Sequence, residues 1–129
     1  MINALMDTHT LVWLTWDMPE LPLNAKYALE DRQTVVQVSI ASFWEIGIKA
    51  SLGKWDLPGD VLALQKLIEA QGIEIVPITV PAIHLMTQMK HHHKDPFDRI
   101  IAATALTSGS LLFSSDAIFD LYGVARRWD

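Results

Sequence analysis

Short apolar stretches alternate along this chain with longer amphipathic ones. MINALM at 1–6 is a compact apolar run that stops at Asp7, and residues 8–16 then place Leu11, Val12, Trp13 and Leu14 at the mixed spacings of a helix. The pattern predicts a strand followed by a helix. Ala, Leu, Lys and Glu behind Pro22 predict a second helix over 23–31, since these side chains lose little freedom in a helix. TVVQVS at 34–39 is short and β-branched, which favours a buried strand, and Ser39 is placed to cap a helix over 40–52. Phe43, Ile46, Gly47 and Ala50 are expected on one face of that helix, with Gly53 ending it. After the loop KWDLPGD come a predicted helix over 61–71, a strand over 73–78 and a helix over 81–89. The polar segment KHHHKDP leads into the clearest helix, which has Asp95 as N-cap, Pro96 in its first turn and Gly109 beyond its end. LLFS at 111–114 reads as a strand, followed by a helical turn over 117–121 and a last strand over 124–128.

Strands alternating with helices predict an α/β fold of three layers, a central mostly parallel sheet flanked by helices, because right-handed crossovers leave few other topologies. Residues 1–129 are expected to form a single domain, since a chain of this length has room for one core. Half of the residues are hydrophobic and the mean hydropathy is +0.22, which excludes general disorder and leaves apolar surface for a partner. No apolar run approaches the ~20 residues of a membrane span and no secretory leader is recognisable, so a cytoplasmic protein is expected. The absence of cysteine excludes disulfides, thiolate catalysis and cysteine-ligated metals. Any chemistry must therefore use oxygen or imidazole.

In open α/β sheets ligands sit beyond the carboxyl ends of the strands. Asp7 follows the first predicted strand and Asp116 follows LLFSS. Glu45 lies in the second turn of the helix leaving TVVQVS, and helical side chains lean back toward their N-terminus, which aims it at the same edge. Asp98, at the third position of the helix after Asp95, completes the set. Four carboxylates gathered on one edge raise one another's pKa values unless a cation joins them. Oxygen-only ligands select hard divalent ions, so Mg²⁺ or Mn²⁺ is the expected cofactor, as one or two ions. Each acid also has a plainer reading. Asp7 and Asp116 can cap helical turns, and Asp98 complements a helix dipole. Glu45 differs, because it stands among Phe43, Trp44, Ile46 and Ile48, where an unpaired carboxylate would cost several kcal/mol.

The blocks MDTHTLVWL, VSIASFWEIGIKASLGK, HHHKDPFDRIIAATAL and LLFSSDAIFDLYGV, in that order and over nearly the whole chain, resemble those of the PIN-domain ribonucleases. Within that family the chain is similar to the VapC-type toxins of toxin–antitoxin pairs. The resemblance implies that Asp7, Glu45, Asp98 and Asp116 form the catalytic and metal-binding set of a metal-dependent endoribonuclease, with Asp116 less uniform in role. It further implies that Ser115 helps to position water or a neighbouring carboxylate, although a plain turn hydroxyl is the simpler reading. A cognate antitoxin, a homodimer and an RNA substrate such as a tRNA or ribosomal RNA loop are the implied partners. An ion held by such a set activates water for in-line attack on the phosphodiester, so no side-chain nucleophile is needed.

Lys49, Lys90, Lys94 and Arg99 are candidate substrate-binding residues for the RNA backbone. His91, His92 and His93 are expected in a solvated loop, since consecutive loop side chains diverge and cannot easily share one tetrahedral ion. Trp13, Trp16, Trp44 and Trp55 are expected as core or interface anchors. A receiver-like or phosphoryl-transfer domain fits less well, because Asp7 has no acidic neighbour and position 9 is His where the DxDxT pattern needs Asp. A non-catalytic interaction module, its acids only capping helices, is the remaining alternative. The formal charge of −5 first argues against a nucleic-acid partner. Divalent cations at the acidic edge would cancel much of it, and the test moves from net charge to where the basic residues lie.

Overall fold

Five short strands carry the architecture: β1 (Ile2–Met6), β2 (Thr34–Ser39), β3 (Glu74–Val76), β4 (Leu111–Phe113) and β5 (Arg126–Arg127). The computed structural model describes residues 2–129, so Met1 of the predicted first strand lies outside the described residues. All strand pairings are parallel, in the order β3-β2-β1-β4-β5. The central strand β1 registers Ala4 and Met6 against Val36 and Val38 on one side and against Leu111 and Phe113 on the other. The chain thus winds outward from β1 in both directions, which puts the switch point of the sheet beyond the ends of β1 and β4.

Six helices and one 3₁₀ turn (Ala117–Tyr122) make the connections. The helices are α1 (Thr8–Thr15), α2 (Leu23–Glu30), α3 (Ile40–Ser51), α4 (Val61–Ala70), α5 (Val80–Gln88) and α6 (Pro96–Ser108). Ser39 and Asp95 cap as predicted, accepting from the Ala41 and Phe97 N–H groups, and Asp60, expected only as part of a loop, accepts from that of Ala63. At the far end of α6, Gly109 takes φ 66°, a left-handed conformation that lacks the Cβ penalty only in glycine.

Successive residues of β1 point to opposite faces, and both faces are buried. Ala4, Met6, Val36, Val38 and Phe113 pack beneath Leu11 and Val12 of α1, Ala25 and Leu29 of α2, Ile46 of α3, and Leu64 and Ile68 of α4. On the other face Leu5 and Leu112 meet Ile101, Ala102 and Ala105 of α6 and Phe119 of the 3₁₀ turn. Ala41, Ala82, Ile100 and Ala103 join α3, α5 and α6.

Three expectations need correction. The strand predicted over 73–78 is only Glu74–Val76, because it lies at the sheet edge and Pro77 has no N–H to extend the ladder. The last strand shrinks from 124–128 to Arg126–Arg127. The inward face of α3 is Ala41, Ser42, Glu45 and Ile46, with Phe43 and Gly47 half-buried and Ala50 exposed. The predicted face followed hydrophobicity alone, whereas this helix turns a polar stripe inward. Ile40, Trp44, Ile48 and Leu52, spaced by four, are left exposed. No helix among the described residues is long and apolar enough to cross a membrane.

Candidate functional site: a carboxylate cluster at the switch edge

Asp7 is the first residue beyond β1 and is buried, at 5 % exposure. Its Oδ1 accepts from the Thr10 backbone N–H at 2.9 Å and from the Thr10 hydroxyl at 2.6 Å, and Oδ2 accepts from the Ser114 hydroxyl at 2.6 Å. The cap of α1 and the acid of the site are therefore one side chain. Burial pushes the Asp7 carboxyl above the usual range, against the lowering effect of the Ser114 and Thr10 hydrogen bonds. Glu45, at 2 % exposure, accepts from the Thr8 hydroxyl at 2.6 Å and from the Lys49 ammonium one turn further along α3. The Thr8 oxygen also lies 3.0 Å from Ser42 Oγ, and with its own proton on Glu45 it accepts from the Ser42 hydroxyl. An isolated buried carboxylate would be prohibitive, and this one is held by a hydroxyl and an ammonium.

Asp98 enters from the first turn of α6. Its pKa is raised from 3.8 to about 6, first by burial and then by the charges of Glu45, Asp95 and Asp7, with His93 opposing. The topology thus brings Asp7 and Glu45 close enough to Asp98 for their charges to act on it. Lys49 sits on the same cluster, bonded to Glu45 and 3.6 Å from Asp95 Oδ2. Partial burial opposes its charge. The hydrogen bond to Glu45 and the charges of Glu45, Asp95 and Asp98 outweigh that and hold the ammonium above the usual lysine value.

Asp116 lies at the same edge but is engaged differently. Its Oδ1 accepts from the Ile118 N–H at 2.9 Å, capping the 3₁₀ turn, and its Oδ2 is 2.7 Å from His93 Nε2. His93 is buried, which corrects the expectation of a fully solvated histidine run; His91 and His92 are exposed as expected. Ser115 is exposed, and the hydroxyl that touches a carboxylate of the cluster belongs to Ser114. Ser114, the first residue beyond β4, is fully buried against Asp7, and the chain turns Ser115 out to solvent. Of the remaining basic candidates, Lys94 is exposed and makes no ion pair among the described residues, and Arg99 is half-buried with an unpartnered Nε. Lys90 lines a separate hollow with Leu85, Met89, His92 and Tyr122.

Among the described residues no three His, Asp or Glu side chains are already drawn into a closed metal-ligand arrangement. Their oxygens are directed instead to Thr8, Thr10, Ser114 and Lys49. The chemistry of the donor set nevertheless fits a hard divalent cation. It is all oxygen, carries more negative charge than Lys49 neutralises, and already holds an ammonium where positive charge is needed. Thr8, Thr10, Ser42 and Ser114 were not legible as site residues. Only their positions, close to a strand-end acid or one turn from Glu45, distinguish them from ordinary turn and helix hydroxyls.

An all-parallel α/β domain with buried carboxylates gathered at its switch point defines the class of the protein: a fold whose working edge is acidic. The model of the PIN domain matches residues 4–125, and the chain belongs to the PIN domain family. Among curated proteins there is no match. Among solved structures, a chain of VapBC2 from Rickettsia felis, bound to a DNA fragment from its promoter, superposes with a TM-score of 0.72 at 14% identity, covering 99% of this chain and 100% of that one. A chain of DNA-bound VapBC from Salmonella typhimurium gives 0.71 at 18% identity, with 98% of each chain covered. One of VapBC-1 from nontypeable Haemophilus influenzae gives 0.67 at 13% identity, covering 98% of this chain and 97% of that one. At these identities the likeness establishes the fold.

Proposed function

We propose that this protein is a metal-dependent endoribonuclease toxin that cleaves RNA phosphodiester bonds and is held inactive by a cognate antitoxin. The observation that carries the reading is the convergence of buried Asp7 and Glu45 and half-buried Asp98, from three separate elements, onto one edge, where the charges of Asp7 and Glu45 act against that of Asp98 and favour a cation. The family membership supports nuclease chemistry, and the similar folds come from complexes named VapBC. Asp7, Glu45 and Asp98 would hold Mg²⁺ or Mn²⁺, with Asp116 beside them as the fourth acid. When bound, the cation activates water for attack on the phosphodiester and offsets charge on the leaving oxygen. The protein's own groups do the rest. Thr10 and Ser114 fix the Asp7 carboxylate, Thr8 fixes that of Glu45, and Lys49 offsets part of the negative charge of the cluster. Lys94 and Arg99, near Asp98 in sequence, would meet the RNA backbone, for which a tRNA or ribosomal RNA loop is the expected substrate.

The exposed stripe Ile40, Trp44, Ile48 and Leu52 borders an apolar hollow of about 300 Å³ lined by Ala41, Trp44, Ile83, Met86, Phe97 and Ile100. A soluble monomer rarely leaves such a patch open, which supports a homodimer and an antitoxin-binding surface. The deciding experiment is RNA cleavage with Mn²⁺ or Mg²⁺ by the wild type, Asp7→Asn and Asp98→Asn. The expected result is cation-dependent cleavage by the wild type alone. Full cleavage by either variant, or wild-type cleavage undiminished in chelator, overturns the assignment.

A further inference from the structure

His93, at 6 % exposure, belongs to neither a solvated loop nor the carboxylate set. Both ring nitrogens have partners: Nε2 lies 2.7 Å from Asp116 Oδ2, and Nδ1 lies 3.1 Å from the Tyr122 hydroxyl. The His93 backbone N–H donates to the same Tyr122 oxygen at 2.8 Å. With that oxygen accepting from the main chain, the phenolic proton is free to point at Nδ1, which leaves the imidazole proton on Nε2 facing the carboxylate. The ring also stacks on Tyr122, with centroids 5.5 Å apart and planes 19° apart, and packs on Phe119 at 4.6 Å. Tautomer, tilt and position are all constrained.

Asp116 passes the constraint on. Its backbone N–H donates to Ser114 Oγ at 3.0 Å, and that hydroxyl donates to Asp7 Oδ2 at 2.6 Å. A path therefore runs from Tyr122 through His93 to the Asp116 side chain and, by way of the Asp116 backbone, through Ser114 to Asp7. It links the 3₁₀ turn and the segment before α6 to the end of β1. Carboxylates in metal sites depend on such outer partners for orientation, and losing one commonly lowers metal affinity or activity by about 10–100-fold.

We propose that His93 is a positioning residue of the acidic site, with its Nε2–H holding the Asp116 carboxylate at the edge and Tyr122 setting the ring that makes this contact. The catalytic consequence rests on the nuclease reading above, whereas the coupling of His93 to Asp116 is a property of the fold alone. The test uses the full chain with His93→Gln, His93→Asn, Asp116→Ala and the double variant His93→Asn/Asp116→Ala. The Gln amide reaches the place of Nε2 and can still donate to Asp116, while the shorter Asn amide reaches only the place of Nδ1.

Mn²⁺ affinity by calorimetry, kcat and KM for RNA, and urea midpoints are compared. His93→Asn is expected to weaken Mn²⁺ binding and lower kcat by about 10–100-fold with little change in KM. His93→Gln is expected to recover most of that loss, and the double variant to be no worse than Asp116→Ala. Equal losses in the Gln and Asn variants, or additive losses in the double variant, overturn the proposal. If the wild type cuts no RNA, the nuclease reading fails by itself. The urea midpoints then decide the inference: non-additive effects of the two substitutions support it and additive effects overturn it.

Discussion

Asp98→Asn tests the electrostatic balance of the acidic edge without changing its shape. Burial, and then the charges of Glu45, Asp95 and Asp7, lift the Asp98 carboxyl from 3.8 to about 6 against the opposing effect of His93. Between those two values the folded protein binds more protons at this group than the unfolded chain does. Stability therefore falls as pH rises from about 4 to about 6, and stays lower above that. The interval corresponds to at most about 3 kcal/mol, and because Asp98 is only half-buried, solvent screening reduces it to on the order of 1–2 kcal/mol. Asn mimics the neutral acid. In the presence of a chelator the variant should match the wild type below about pH 4 and exceed it by on the order of 1–2 kcal/mol at about pH 8. Saturating Mn²⁺ should reverse the order, since binding at about 100 times Kd adds roughly 2.7 kcal/mol to a protein that still has its ligands. Urea unfolding followed by circular dichroism over this pH range, with chelator and with Mn²⁺, measures both effects. A metal-free variant less stable than the wild type at about pH 8, or a difference that does not change with pH, refutes the reasoning.

Asp7→Asn should lower RNA cleavage by on the order of 100-fold or more while leaving the metal-free protein at least as stable near neutral pH. Asn can still cap α1, and a carboxyl disfavoured by burial is removed, so cleavage rates and thermal melts of one preparation check both halves. Phe113→Ala should cost about 3–5 kcal/mol in urea unfolding, because Phe113 is 1 % exposed at the centre of the larger core cluster. Trp44→Lys should lower the solution mass measured by light scattering while changing stability by less than about 0.5 kcal/mol, since Trp44 is 63 % exposed within the protomer. An unchanged oligomeric mass would remove this face from the dimer interface.

Most element positions were legible because local rules agree with the tertiary outcome. Ser39, Asp95 and Gly109 act where capping chemistry places them, and TVVQVS is a strand packed beneath the helices. The candidate acids were legible for a related reason: strand ends and first helical turns fall on one edge of a parallel sheet, so sequence positions translate directly into a shared location. Glu45 stood out because its apolar neighbours make an unpaired charge costly.

What remained hidden depends on which way side chains turn and on partners distant in sequence. Hydrophobicity found only part of the inward face of α3: Ile46 is buried and Phe43 packs on the core, but Ser42 and Glu45 also turn inward, where Thr8 and Lys49 meet them, while Trp44 and Ile48 stay exposed. Ser114 and Ser115 are equivalent as letters, and only the packing just beyond β4, which buries Ser114 against Asp7, chooses between them. In the histidine run, Tyr122 and Asp116 select His93, and they lie 29 and 23 residues away. The sequence by itself determined the order of elements, the parallel sheet and the edge where the acids meet, since these follow from local periodicity and connection rules. The tertiary structure alone decided which hydroxyls hold the carboxylates, where Lys49 sits and which histidine is buried, because hydrogen-bond geometry between distant residues exists only once the layers have packed.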